Sequence, residues 1–159
     1  AGLFEPRWSP RVLEEWACAA SKLGAKQEVW ARGEIVTLGA KFPAAQIHYD
    51  RALERQYWLP DPADIHVLTA AVVGSCDAIM TMNSKDFPRN ILSDEHLLRL
   101  EPDSFVRDLL DDAPTEVTLV ANTVLNEANR LSETPWTMRA LMKKARLPRL
   151  GKALAKRLD

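Results

Sequence analysis

Three acidic side chains stand where carboxylates can converge. Glu15 lies within a first helix, Asp64 in the first turn of a central helix, and Asp86 in a loop that follows a strand. Carboxylates are hard oxygen ligands suited to Mg2+ or Mn2+. A cation held that way can activate water and stabilise charge on a phosphate during cleavage. In open parallel sheets, ligands bind beyond the carboxyl ends of the strands, where such loops and helix starts meet. The same residues also suit simpler work: Asp61 and Asp64 as helix caps, Glu15 as a surface glutamate.

The elements that must position these groups are legible from punctuation. Ser9 followed by Pro10 starts a helix, a hydroxyl cap and then a residue needing no amide hydrogen. Val12, Leu13, Trp16 and Ala20 share one face of it, and it stops near Gly24. A second helix is expected over 27–39, with Ala31, Ile35 and Leu38 on one side. Gln46–Tyr49 reads as a short strand and Arg51–Gln56 as a helical turn. Asp61 then caps and Pro62 opens the central helix, with Asp64 where the helix dipole favours an anion. That helix runs to Gly74. Short strands follow over Asp77–Met82 and Leu97–Leu100, with a polar loop and a turn or short helix at Pro88–Leu92 between them. Pro102 opens a helix carrying Phe105, Leu109 and Leu110, and the remainder reads as helical. Helix alternating with strand is the rhythm of an α/β domain with a parallel sheet.

Length and composition fit one domain with a small appendage. No apolar run approaches the roughly 18 residues that span a bilayer, and no secretory leader is evident, so a cytoplasmic protein without a membrane partner is expected. Cys18 and Cys76 lie far apart without metal-ligand spacing and read as two buried thiols. Charge is unevenly spread: residues 1–133 carry 13 Lys/Arg against 21 Asp/Glu, whereas 134–159 carry 8 Lys/Arg against one Asp. A basic tail on an acidic body points to an anionic partner, or to a solvated helix face that pairs with the body.

The segment LPDPADIHVLTAAVVGSCDAIMTMNSKDFP, Leu59 to Pro88, resembles bacterial PIN domains of the VapC toxin type. It carries Asp61, Pro62, Asp64, His66, Val67, Leu68, Ala70 and Ala71, then Thr81, Asn83, Asp86, Phe87 and Pro88. RWSPRVLEEW resembles the family's second acidic motif and selects Glu15, beside Trp16. Pro102 to Phe105 fits the segment that closes these domains, and Trp136 with KKARLPRLGKAL resembles the subfamily's carboxy-terminal extension. The resemblance implies a PIN-like three-layer sandwich around a mainly parallel sheet over 1–112, and a basic helical extension over 113–159. It implies hydrolysis of RNA by a Mg2+- or Mn2+-dependent endoribonuclease that a cognate antitoxin neutralises, and it leaves a homodimer open.

By position, the resemblance makes Glu15, Asp64 and Asp86 metal ligands and catalytic residues. Asn83 stands where many relatives have an acid and would orient water or substrate. Thr81 and Ser84 would position the metal site or a phosphate. Asp61 and His66 would support it from behind, Asp61 alternatively as a cap and His66 as a structural group. Arg139, Lys143, Lys144, Arg146 and Arg149 of the tail are expected to hold the RNA backbone. The family's first strand, which ends in a further catalytic Asp, would fall before Ala1. A truncated domain is therefore expected, and the rival reading is a catalytically dead PIN-like fragment that binds RNA or protein.

Overall fold

The computed structural model describes residues 2–158 of the chain, the side chain of Leu158 excepted. It is mostly helical, with 63% of residues in helix and 5% in strand. The expected α/β three-layer sandwich is therefore overturned. β1 (Ala78–Met80) and β2 (Leu98–Leu100) form a two-stranded parallel sheet, and the expected strand at Gln46–Tyr49 shrinks to a single parallel bridge between Gln46 and Trp8. The physical reason is length. Each apolar run pairs over three residues, short even for an ordinary strand, and such a ribbon offers no face broad enough for two helical layers.

The helices are α1 (Pro10–Ser21), α2 (Ala25–Lys41), α3 (Ile65–Val73), α4 (Arg89–Asp94), α5 (Pro102–Asp112), α6 (Pro114–Leu131), α7 (Met138–Lys144) and α8 (Pro148–Leu158), with 3-10 turns at Arg51–Gln56 and Pro62–Asp64. No helix among the described residues is long and apolar enough to cross a membrane.

Two compact units are distinguishable. The amino-terminal unit comprises Phe4–Ile79 and Asn83–Arg99. Its α1 begins as its punctuation requires, the Ser9 hydroxyl accepting from the Val12 amide at 3.3 Å. Its buried face is rotated from the expected one, however: Ala17 is fully buried and Trp16 is 41% exposed. Gly24, with φ of 132°, makes the turn into α2, a conformation open to glycine and strained for other residues. α2 packs on α1 through Ala31, flanked by half-buried Ile35 and Leu38, as expected. The core gathers Leu59, Leu68, Ala71, Ile79, Phe87, Leu92 and Leu97. Each fully buried leucine there contributes about 1.5–3 kcal/mol by leaving water. Cys18 is exposed and Cys76 half-buried, so the expectation of two buried thiols fails for Cys18, which α1 presents to solvent.

The carboxy-terminal unit is built from 100–158 with Met80–Met82 and residues 2–3. α5 packs on α6 and α8, and α7 on α8, around Leu110, Val117, Met142, Leu150 and Leu154. Gly151 lies at the α7–α8 crossing, where an added Cβ would come within 2.7 Å of the Met142 Cβ.

Candidate metal centre

Asp61, Asp64 and Asp86 each present a carboxylate oxygen, and these oxygens lie within 4.8 Å of one another. All three belong to the amino-terminal unit. The start of the central helix positions two of them. Asp61 accepts from the Ala63 amide at 2.9 Å and so caps the 3-10 turn, as its capping reading requires. The Asp64 amide donates to the Asp61 carbonyl at 3.1 Å, which closes that turn and leaves the Asp64 side chain free of capping duty at the head of α3. One aspartate thus caps while contributing charge, and the other only contributes charge.

Asp86 arrives from the loop after β1. Buried Phe87 anchors that loop in the core, and Arg99 ties it down by donating to the carbonyls of Ser84 at 2.8 Å and Phe87 at 3.0 Å. Asn83 stitches the acids together. Its Nδ2 donates to Asp86 Oδ2 at 2.8 Å and, more weakly, to Asp64 Oδ2 at 3.4 Å, while its Oδ1 accepts from the Asp86 amide at 3.3 Å. Ser84 is exposed and takes part through its carbonyl. Thr81 belongs to the carboxy-terminal unit, where its amide donates to the Leu100 carbonyl.

Glu15 is held slightly apart. Arg11 approaches its Oε1 at 3.1 Å, and His66 Nε2 lies 3.1 Å from the same oxygen. Although Nε2 and Oε1 are close, they are not aligned for a hydrogen bond, and neither ring nitrogen of the fully buried His66 side chain has a hydrogen-bond partner among the described residues. Burial pushes the His66 imidazolium toward losing its proton more readily than usual, against the pull of Glu15. Behind it, the Tyr49 hydroxyl lies 2.9 Å from Glu54 Oε1 and 3.1 Å from the His66 carbonyl. Its own ionisation is pushed up to about 12 by burial and then by the Glu54 carboxylate. Arg11 also reaches Glu54 at 3.6 Å, so it bridges the two glutamates.

The electrostatics of the centre are unbalanced. Partial burial raises the Asp64 carboxyl above its usual range, and the charges of Asp61, Asp86 and Glu15 push the same way. A carboxylate surrounded by carboxylates favours whatever positive charge can be supplied. Hard oxygens this close together fit Mg2+ or Mn2+, which take a few carboxylate ligands and complete their shells with water. The donor set therefore fits the expected ion.

Of the tail cations, Arg139, Lys143 and Arg149 line one concavity of the carboxy-terminal unit together with Lys152, while Lys144 at the end of α7 and Arg146 in the turn after it are exposed. Lys152 escaped the sequence reading, as did Arg11, Tyr49, Glu54 and Arg99. Arg11 and Lys152 stand in the segments RWSPRVLEEW and KKARLPRLGKAL without being singled out there, and the contacts of Arg99 with Ser84 and Phe87 and of Arg11 with Glu54 are made only by folding.

Comparison with known proteins finds no matching family model, no matching curated protein and no matching solved structure.

Proposed function

We propose that the chain is a Mg2+- or Mn2+-dependent endoribonuclease whose metal ligands are Asp64 and Asp86, with Asp61 as a third carboxylate and Glu15 beside them. The observation that carries this reading is the approach of the Asp61, Asp64 and Asp86 oxygens to within 4.8 Å, bridged by Asn83. The motif resemblance over Leu59 to Pro88 supplies the substrate class. With the cation bound, the site gains a Lewis acid that activates water and stabilises charge on the phosphate.

The side chains of the chain do the positioning. Asn83 holds Asp86 and Asp64 at one separation through its side-chain amide. Asp61 fixes the head of α3, so the Asp64 carboxylate has little backbone freedom. Arg11 keeps Glu15 oriented and tempers its charge. The cognate antitoxin that the resemblance implies remains part of this proposal.

The deciding experiment is cleavage of a labelled single-stranded RNA with Mn2+, compared with EDTA and with Asp64→Asn. Metal-dependent cleavage that Asp64→Asn abolishes is the expected result, and full activity of that variant would sink the reading. The rival, a non-cleaving binding module, draws on the pairing of Glu15 with Arg11, which leaves Glu15 outside the triad. It predicts RNA or protein binding with no cleavage at high concentrations of chain and Mn2+.

A further inference from the structure

The carboxy-terminal unit concentrates positive charge that its packing does not neutralise. Three of its arginines are matched by acids: Arg107 pairs with Asp108 and Asp111, Arg130 with Glu127, and Arg157 with Asp111. Arg139, Lys143 and Lys152 have no ion pair among the described residues. With Arg149 and Pro148 they line a concavity of about 400 Å3 formed by α7 and α8.

Packing explains why these side chains converge. Gly151 lets α8 press against Met142 of α7, and the next residue on each helix is a lysine, Lys143 and Lys152. Arg139 stands one turn before Lys143, and Arg149 one turn before Lys152, so each helix contributes two cations at adjacent-turn spacing. Arg149 falls in the first turn of α8, the end at which the helix dipole disfavours cations, and Lys152 follows it one turn on. The α8 amides are not free to take an anion there, because Asp103 accepts from Arg149 N at 2.9 Å and Leu150 N at 3.1 Å. An incoming anion would therefore meet the side chains. Arg149 Nη1 also touches the Ser104 hydroxyl and lies 3.6 Å from Glu101, which aims its guanidinium without burying it.

We propose that this concavity is a docking site for the phosphodiester backbone of single-stranded nucleic acid, with Arg139, Lys143, Arg149 and Lys152 as the phosphate ligands. That the nucleic acid is RNA rests on the ribonuclease reading above. Guanidinium groups fork onto phosphate oxygens and ammonium groups add point charge. No carboxylate or amide side chain lines the concavity, so it reads charge and not base sequence.

The test is fluorescence anisotropy of a labelled single-stranded oligoribonucleotide in EDTA, where no cleavage intervenes. Arg139→Gln with Lys152→Gln is compared with Lys22→Gln with Lys26→Gln, which removes the same charge from the amino-terminal unit, outside the concavity. The first pair is expected to weaken binding about tenfold and to reduce the salt dependence by about 0.7 in log–log slope per lost contact. The second pair is expected to stay within about twofold of the parent, since exposed charges that contact no phosphate are weakened by salt screening. Equal losses from both pairs, or no loss from either, would overturn the site, as would displacement of the RNA by polyglutamate as readily as by unlabelled RNA. All four positions are exposed, and a circular dichroism melt matching the parent's confirms that folding is not the cause. Lys143→Gln alone gives an independent reading of one contact. Asp64→Asn separates the two ideas: it should leave this affinity intact and abolish cleavage, and an unaffected cleavage rate would remove the ribonuclease reading while the docking site stands.

Discussion

His66 Nε2 lies 3.1 Å from Glu15 Oε1, with the imidazole wholly buried and the carboxylate about half exposed. The pair couples a helix start to α1, yet the histidine gains no aligned hydrogen bond from it. A buried polar ring without partners costs on the order of 1–3 kcal/mol of desolvation. It is tolerated as a neutral group, because burial holds its proton affinity below the ordinary value of 6.5.

That depression has a sign for stability. The folded state refuses a proton that the unfolded chain accepts, so stability is lost as pH falls below about 6.5, until the folded-state value is reached. The slope for one proton is at most about 1.4 kcal/mol per pH unit. Urea unfolding in EDTA from about pH 7 to about pH 5 should show the fall, and His66→Leu, which cannot titrate, should flatten it. If the leucine variant falls as steeply as the parent, the carboxylates and not the histidine own the pH dependence.

Asp64 works in the opposite direction. Its carboxyl is raised by burial and by three neighbouring carboxylates, so the charged form is disfavoured in the folded state. The metal-free protein therefore loses stability as pH rises from the ordinary 3.8 through the raised folded value. Asp64→Asn removes that strain and should stabilise the metal-free chain by about 0.5–2 kcal/mol, the range common for relieving a functional site. It should also abolish any rise in melting temperature caused by Mn2+. Thermal melts with and without Mn2+ check both halves, and a variant that melts lower in EDTA while keeping the Mn2+ shift contradicts the assigned role.

Asn83 offers the complementary change. Its amide joins Asp86 and Asp64, and a carboxylate there would replace a donor with a fourth negative charge. Asn83→Asp should lower metal-free stability by about 1 kcal/mol, since two acids lose a partner and gain a repulsion. It should bind Mn2+ more tightly than the parent, read by calorimetric titration. Weaker Mn2+ binding would mean that the asparagine matters as a spacer and not through its lack of charge.

The parts legible from sequence are those whose physics is local. Ser9 with Pro10 and Asp61 with Pro62 cap the helices expected of them, because a cap needs only the next few residues. Trp16 and Ala17 show the limit of periodicity: adjacent positions differ by about 100° around a helix, so the apolar pattern points to the indole at the edge of the stripe while the alanine beside it is the buried residue. The sheet is smaller than its apolar runs for a related reason. Apolar runs at 77–82 and 97–100 mark extended chain, but the length of pairing depends on partners that a local pattern does not contain. Asp64 and Asp86 stand out by motif, whereas Arg11, Tyr49 and Glu54 enter only through contacts with His66 and Glu15 made by folding.

Asp103 is the clearest case of such a long-range assignment. Within Pro102 to Phe105 it looks like a first-turn acid of its own helix, yet it is 6% exposed and accepts from two amides of α8, 46 and 47 residues away. It caps a helix that has proline at its first position and, just before it, Leu147, whose side chain has no capping group. Asp103→Ala leaves both amides unpaired beneath the packed α5–α8 contact, at a cost of about 1–3 kcal/mol. Asp103→Asn keeps a carbonyl oxygen and should recover part of that loss. Amide exchange at Arg149 and Leu150 should accelerate in the alanine variant before the rest of α8 is affected. RNA affinity should then fall as well, because Arg149 loses the fixed first turn that aims it into the concavity. If Asp103→Ala melts and exchanges like the parent, the two hydrogen bonds contribute nothing measurable, and the link between capping and the basic site is broken.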